Sequence, residues 1–480
     1  MKKIFGVSVV VFLALILPQK PVHSQDTILN KIDSIAGSYL SQPNTVGLMV
    51  GFFRQRSNPN IPPVPEFYGY GHIRKDTTSP VPDSLSVFKI GSVGKTFTAT
   101  LLAYLMQFHP SPIRLLDHIS EYLPDTLNVP VWVSGTDTTF ITVGDLAMHF
   151  SSFPDQPTNY VAPPHYTVQR LLEFVDTYVL PHRPGTVWTY SNTGFGLLGV
   201  ITGIIAGETY EELSDRIISD SLNMQDTRVS PTPSMWSRVA LGYNHTNGNL
   251  DTAAISPGFY GAGGHYSTMK DLMHYLRWNI GFIDNGMKIL LDTLHKQRRH
   301  AYNDTLEGQG LAWQMNYLYH NQSYERYIWK DGGTSGYSTF ICWLPKTRTG
   351  VVVLANSTLG VDSYAINMLR AINPLESLAG VGINQISSEV PDKYILHQNY
   401  PNPFNPTTKI NFDLPKNNGF VSLKVYNVLG QLVSDLVNKQ LQSGTYEYEF
   451  DAASLNSGIY FYSLQVDDET VGTKKMVVVK

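Results

Sequence analysis

After about residue 391 the chain changes character, and that break sets what the polypeptide can fold into. Downstream, residues 409–414, 421–426, 445–450, 459–466 and 475–479 are short strand-like runs, several with alternating apolar and polar side chains, separated by Pro, Asn and Gly turns. Successive strand side chains point to opposite faces, so such runs in close order predict a small all-β sandwich over 392–480. Upstream, residues 26–372 mix two periodicities. Residues 46–53 and 67–72 read as strands around a Pro-rich loop at 58–65. Residues 94–107 read as a helix, with Phe97, Leu101, Leu102 and Leu105 at helical spacing. Residues 337–344 and 350–354 read as adjacent strands, and 361–372 as a closing helix. Strands at both ends with helices between predict an α/β (α+β) domain whose mostly antiparallel sheet is flanked by helices. Residues 373–391, rich in small and polar side chains, read as the linker.

The first residues carry Lys2 and Lys3, an apolar run, a breaker at Pro18 and then Val22-His23-Ser24, the pattern of a secretory signal peptide over 1–24 cleaved after Ser24. The apolar run is shorter than the roughly 20 residues a bilayer crossing needs, so no stable transmembrane anchor is expected. No Cys follows it, which argues against lipid anchoring. Cys342 is the only cysteine, excluding an intramolecular disulfide and a Cys-based metal cluster. Its apolar surroundings, Thr339-Phe340-Ile341-Cys342-Trp343-Leu344, suit a buried structural thiol. A net charge of −4 leaves no basic field for nucleic acid or an anionic membrane, so chemistry on a small molecule or peptide is expected. The 14 histidines include no His-x-His or His-Glu-x-x-His pattern, and neither metal nor cofactor is expected.

Ser92-Val93-Gly94-Lys95 opens the apolar helix and follows Val87-Phe88-Lys89-Ile90-Gly91. Residues three apart share a helix face, so Lys95 can reach the Ser92 hydroxyl. A serine becomes a nucleophile when a nearby base takes its proton, and a desolvated lysine can serve in that task. The same spacing at Ser267-Thr268-Met269-Lys270 has a simpler reading, a helix cap by Ser267 or Thr268 ahead of Asp271. Tyr190-Ser191-Asn192 lies where a turn runs into an apolar helix, and a phenol there could shuttle protons. Lys330-Asp331-Gly332 precedes Gly333, and such glycines bring backbone N–H groups close to a substrate. His265, beside Gly261-Ala262-Gly263-Gly264, fits either the pocket lining or a structural loop.

Taken in order, Ser92/Lys95, Tyr190/Asn192 and Lys330/Gly332 resemble the serine β-lactamase and penicillin-binding protein superfamily, in its class C β-lactamase, D-aminopeptidase and esterase branch. Further matching blocks include Leu115-Leu116-Asp117-His118-Ile119, Ile141 to Leu146 with His149, Leu222-Asn223-Met224-Gln225-Asp226-Thr227 and Gly310-Leu311-Ala312-Trp313. The resemblance implies a β-lactamase/transpeptidase-like fold, with Ser92 as acylated nucleophile and Lys95 and Tyr190 sharing the general-base work. It makes Asn192 an orienting and substrate-binding group, and Lys330 a partner for a substrate carboxylate or for Tyr190. Gly332 belongs to the same substrate-binding motif, and the N–H groups of Ser92 and Gly333 would form the oxyanion hole. β-Lactamase, D-peptidase and ester hydrolase stay open as activities. A catalytically silent surface protein that binds peptidoglycan or a related ligand is the alternative, although such relatives usually lose one of the polar groups retained here.

Two departures from the family pattern stand out. Phe150-Ser151-Ser152 replaces the usual x-Ser-Gly after His149, and Asp331 stands where lactam-hydrolysing members commonly carry Thr. Beyond residue 395, Gln398-Asn399-Tyr400-Pro401-Asn402-Pro403-Phe404-Asn405-Pro406, Val425-Tyr426-Asn427 with Gly430-Gln431, Leu455-Asn456-Ser457-Gly458-Ile459-Tyr460 and Lys474-Lys475-Met476 resemble the type A sorting domain of the type IX secretion system of Bacteroidetes and related bacteria. That resemblance implies the type IX machinery as a partner and a cell-surface or secreted location.

Overall fold

Gly47–Phe53 is apolar throughout because it is buried on both faces, and its side chains sort by parity. Leu48, Val50 and Phe52 enter one core, whereas Met49 and Phe53 enter another. Tyr337–Leu344 divides in the same way, with Phe340, Cys342 and Leu344 on the first side and Ile341 and Trp343 on the second. These strands belong to a seven-stranded sheet ordered Glu66–Gly71, Gly47–Phe53, Thr349–Ala355, Tyr337–Leu344, Ser323–Thr334, Gln314–His320, Gly308–Gln309, with every neighbouring pair antiparallel. The computed structural model describes residues 25–479 apart from 55–61, 77, 300–307, 321–322, 374–382, 388, 417–418, 453–454 and 468. The expected signal peptide, 1–24, lies outside the described residues.

Helices Gln25–Leu40 and Asp362–Ile372 cover the first face through Ile32, Ala36 and Tyr39 and through Ala365, Met368, Leu369 and Ile372, each set one stripe of a 3.6-residue repeat. On the other face Met269 and Met273 of helix Met269–Asn279 press against Gly51. Helix Gly94–Phe108 is buried on nearly every side, which explains why its apolar pattern is broad rather than a narrow stripe. Cys342 is fully buried, and burial pushes its thiol pKa up, as suits a structural residue.

The C-terminal part comprises two four-stranded antiparallel sheets. One is ordered Ile383–Ser387, Gly444–Asp451, Thr407–Leu414, Ile395–Leu396, and the other Leu432–Leu441, Gly419–Asn427, Gly458–Val466, Glu469–Val478. Ile410, Phe412, Val421, Leu423, Tyr462 and Met476 are among its core residues. The expectation that 373–391 is wholly linker needs correction: Ile383–Ser387 pairs with Tyr448 to Thr445 as an edge strand. Its Asn384 and Gln385 give no apolar alternation, because an edge strand is held by its backbone ladder. Leu432–Leu441 also escapes the period-two pattern, since two register shifts against Gly419–Asn427 put extra residues into it.

Candidate active site

Ser92 sits on a 3-10 turn, Gly91–Val93, that runs directly into helix Gly94–Phe108. Gly91 has φ of +49°, and a Cβ there would lie 2.7 Å from the Gly333 carbonyl oxygen, so the turn needs glycine. One turn further on, Lys95 is 0% exposed. Its Nζ donates to Ser92 Oγ at 3.1 Å, to Asn192 Oδ1 at 2.5 Å and to the Ala262 carbonyl at 2.6 Å. An ammonium has three protons to give, and these three acceptors use them all. Tyr190 Oη donates to Ser92 Oγ at 2.6 Å, placing the serine oxygen between an amine and a phenol.

Tyr190 and Asn192 are delivered by one local device. Ser191 between them caps helix Asn192–Ala206, its Oγ accepting from the Gly194 N–H at 2.8 Å while its own N–H donates to His149 Nδ1 at 3.0 Å. Burial, with Lys95 and Lys330 adding to it, holds the His149 pKa well below its ordinary value. The imidazole is therefore neutral, and its Nδ1 can accept. Its ring lies 4.5 Å from that of Tyr190.

Asp155 gave no signal in the sequence, yet it orients Asn192. Asn192 Nδ2 donates to Asp155 Oδ1 at 2.8 Å. A carboxylate can only accept, so the amide nitrogen must face it and the amide oxygen is left for Lys95.

Lys330, Gly332 and Gly333 come from the end of strand Ser323–Thr334. A Cβ on Gly332 would fall 2.1 Å from the Ile90 carbonyl oxygen, so only glycine lets this strand press against the backbone leading into Ser92. Gly333 is exposed and, with Ser92 and Asn192, lines a cleft of about 270 Å³ whose walls include Tyr160, Ile255 and Phe259. A larger cavity of about 710 Å³, beside Gly196, Gly199 and Glu208, is lined by none of the residues singled out for catalysis.

The Lys330 side chain is 0% exposed, and its Nζ donates to Asp331 Oδ1 at 2.6 Å. Lys95 Nζ and Lys330 Nζ lie 4.9 and 5.5 Å from the Tyr190 ring centroid. Burial alone would raise the Tyr190 pKa, but the two lysines outweigh it and bring the phenol below its ordinary value. Opposite charges about 5 Å apart interact by about 3 kcal/mol at an effective dielectric constant of about 20, large enough to reverse a desolvation effect. Burial also lowers Lys95, Tyr190 opposing it and Lys330 adding to it. Burial would lower Lys330 too, but Tyr190 and Asp331 prevail and raise it. Lys330 is thus held in its charged form more firmly than Lys95, and the positive charge beside Tyr190 favours loss of the phenol proton.

The structure brings Ser92, Lys95, Tyr190 and Asn192 into one hydrogen-bonded cluster, with Lys330, Gly332 and Gly333 against it. The other Ser-x-x-Lys segments stay apart from it. Thr268 caps helix Met269–Asn279, and Ser267 Oγ bonds Thr227 Oγ1 at 2.7 Å. Ser86 and Lys89 have the same spacing, but Ser86 immediately precedes strand Val87–Lys89 and Lys89 ends it, bonded to the Ala253 carbonyl. His265 is structural: it is fully buried, with Nε2 2.8 Å from Ser214 Oγ and its ring against Phe97 and Tyr210. Ser152 has φ of +67°, so the loop after His149 keeps a backbone form that glycine would adopt freely.

The family described as Beta-lactamase matches residues 65–372, and the Secretion system C-terminal sorting domain matches residues 398–479. A beta-lactamase of Pseudomonas fluorescens is 25% identical over 359 residues, spanning 68% of this chain and 92% of its own length. The D-alanyl-D-alanine-carboxypeptidase/endopeptidase AmpH of Escherichia coli (strain K12) is 28% identical over 327 residues, spanning 64% of this chain and 80% of its own length. Among solved structures, a class C beta-lactamase aligns with a TM-score of 0.61 at 21% identity, over 73% of this chain and 98% of its own.

Proposed function

Because the chain belongs to the beta-lactamase family and is a serine hydrolase, we propose that it cleaves an amide or ester bond through an acyl-enzyme formed on Ser92. It does so outside the cytoplasm, since the sorting domain at 398–479 marks it for export by the type IX secretion system to the cell surface or beyond. The observation that carries the reading is the convergence of Lys95 Nζ and Tyr190 Oη on Ser92 Oγ, at 3.1 and 2.6 Å.

Tyr190, as phenolate, takes the Ser92 proton across that short contact while Lys95 steadies the charge. Ser92 Oγ then bonds to the substrate carbonyl carbon, and the resulting oxyanion accepts hydrogen bonds from the N–H groups of Ser92 and Gly333. Each such donor is typically worth about 100 to 1000-fold in rate. As the carbon–nitrogen or carbon–oxygen bond breaks, Tyr190 returns the proton to the leaving group. Water completes the cycle: Tyr190 takes its proton, the hydroxyl adds to the acyl carbon, and Ser92 leaves and recovers a proton.

The test is covalent labelling of the full-length protein and its Ser92→Ala variant with a fluorophosphonate probe and a fluorescent penicillin. The wild type is expected to take up at least one label and the variant neither. A wild type that resists both sinks the proposal.

A further inference from the structure

Two lysines surround Tyr190, yet neither offers its ammonium to the cleft. Lys95 is 0% exposed and gives all three protons to protein oxygens. Lys330 is 0% exposed and paired with Asp331, whose side chain is 42% exposed. Among the described residues no lysine or arginine lines the cleft. No acid among them lines it either, but three lie behind its lining residues. Asp331 is half-exposed, Asp155 is exposed against Asn192, and Asp362, at the first turn of helix Asp362–Ile372, interacts with both Asp331 and Lys330.

Lys330 gives two of its three protons to Asp331, one to the carboxylate and one to the backbone carbonyl, so a substrate carboxylate entering here must compete with Asp331 for the ammonium. It would exchange one charge-assisted hydrogen bond for another, lose its own hydration and face the competing acid. An uncharged acyl chain has none of these costs and meets Tyr160, Ile255 and Phe259. We propose that the site selects acyl donors without a negative charge on the acyl chain, and that Asp331 sets this selection by occupying the Lys330 ammonium. Asp331 acts through Lys330, as a specificity-determining residue. The proposal rests on acyl transfer at Ser92 and narrows its substrate class.

The test uses the full-length protein and a matched pair of substrates, p-nitrophenyl hydrogen adipate and its methyl ester, each corrected for spontaneous hydrolysis. The methyl ester is expected to have at least about tenfold higher kcat/KM at low ionic strength, with the gap narrowing as salt screens the half-exposed acid. In Asp331→Asn and in Asp331→Thr the ratio moves toward one through a gain on the anion, which mere loss of folding would not produce. A wild-type ratio near one, or a ratio unmoved in both variants, overturns the proposal. Turnover of neither ester, with no fluorophosphonate label on Ser92, overturns the acyl-serine reading beneath it.

Discussion

In the proposed mechanism Tyr190 carries two opposed demands: it must be acidic enough to lose its proton and basic enough to take one from Ser92. Burial alone would keep it protonated, and Lys95 and Lys330 reverse that. Tyr190→Phe removes the oxygen 2.6 Å from Ser92 Oγ and leaves a ring of similar shape against His149. Its kcat is expected to fall about 100 to 10,000-fold, with KM little changed. The sign of the pH effect follows from the lowered phenol pKa. The working base exists above that pKa, so wild-type kcat/KM falls as pH drops through it. A pH–rate profile of the variant should lack this acid limb. That Ser92, Lys95, Tyr190, Asn192, Lys330 and the glycine pair come together was legible in the sequence because they stand in short motifs of fixed spacing. Asp155 and the Ala262 carbonyl were not, because a lone acceptor, side-chain or backbone, leaves no recurring pattern.

At the scale of elements, the site is an assembly of ends: a 3-10 turn entering one helix, the cap of another and the last residues of a strand. The fit of that strand against the turn depends on Gly332. In Gly332→Ala the added methyl meets the Ile90 carbonyl oxygen at 2.1 Å, and backbone cannot swing aside as a side chain can. The variant should lose about 1–3 kcal/mol of stability in denaturant titration, and more than tenfold in turnover at a temperature where it is still folded. Normal stability and turnover would mean that the strand is free to shift. The central strands were legible because burial on both faces writes a continuous apolar run. Ile383–Ser387 and Leu432–Leu441 were not, since edge pairing and register shifts answer to backbone hydrogen bonds rather than side-chain pattern.

Over the whole molecule, the core of the sorting domain shares no residue with the two cores that flank the central sheet. Calorimetry of the full chain is therefore expected to resolve two transitions, and deletion of 383–480, which removes the edge strand together with the sandwich, should leave kcat/KM within about twofold. A single transition together with loss of turnover on deletion would make the sandwich part of the catalytic unit.

The pairing of Leu48 with Ala355, between the second and third strands of the seven-stranded sheet, joins the two ends of the hydrolase domain. A chain made from its N-terminus at about 5–20 residues per second must wait roughly 15–60 s between emergence of the first strand and arrival of its partner. During that interval Gly47–Phe53, seven residues with no charge among them, can pair with Glu66–Gly71 on one edge while its other edge waits for Thr349–Ala355. Long-range closure of this type is slow even once the chain is complete. The nascent enzyme thus stays open until these late strands are made, and the cleft around Ser92 takes shape only after Lys330 and the strands beyond it have emerged.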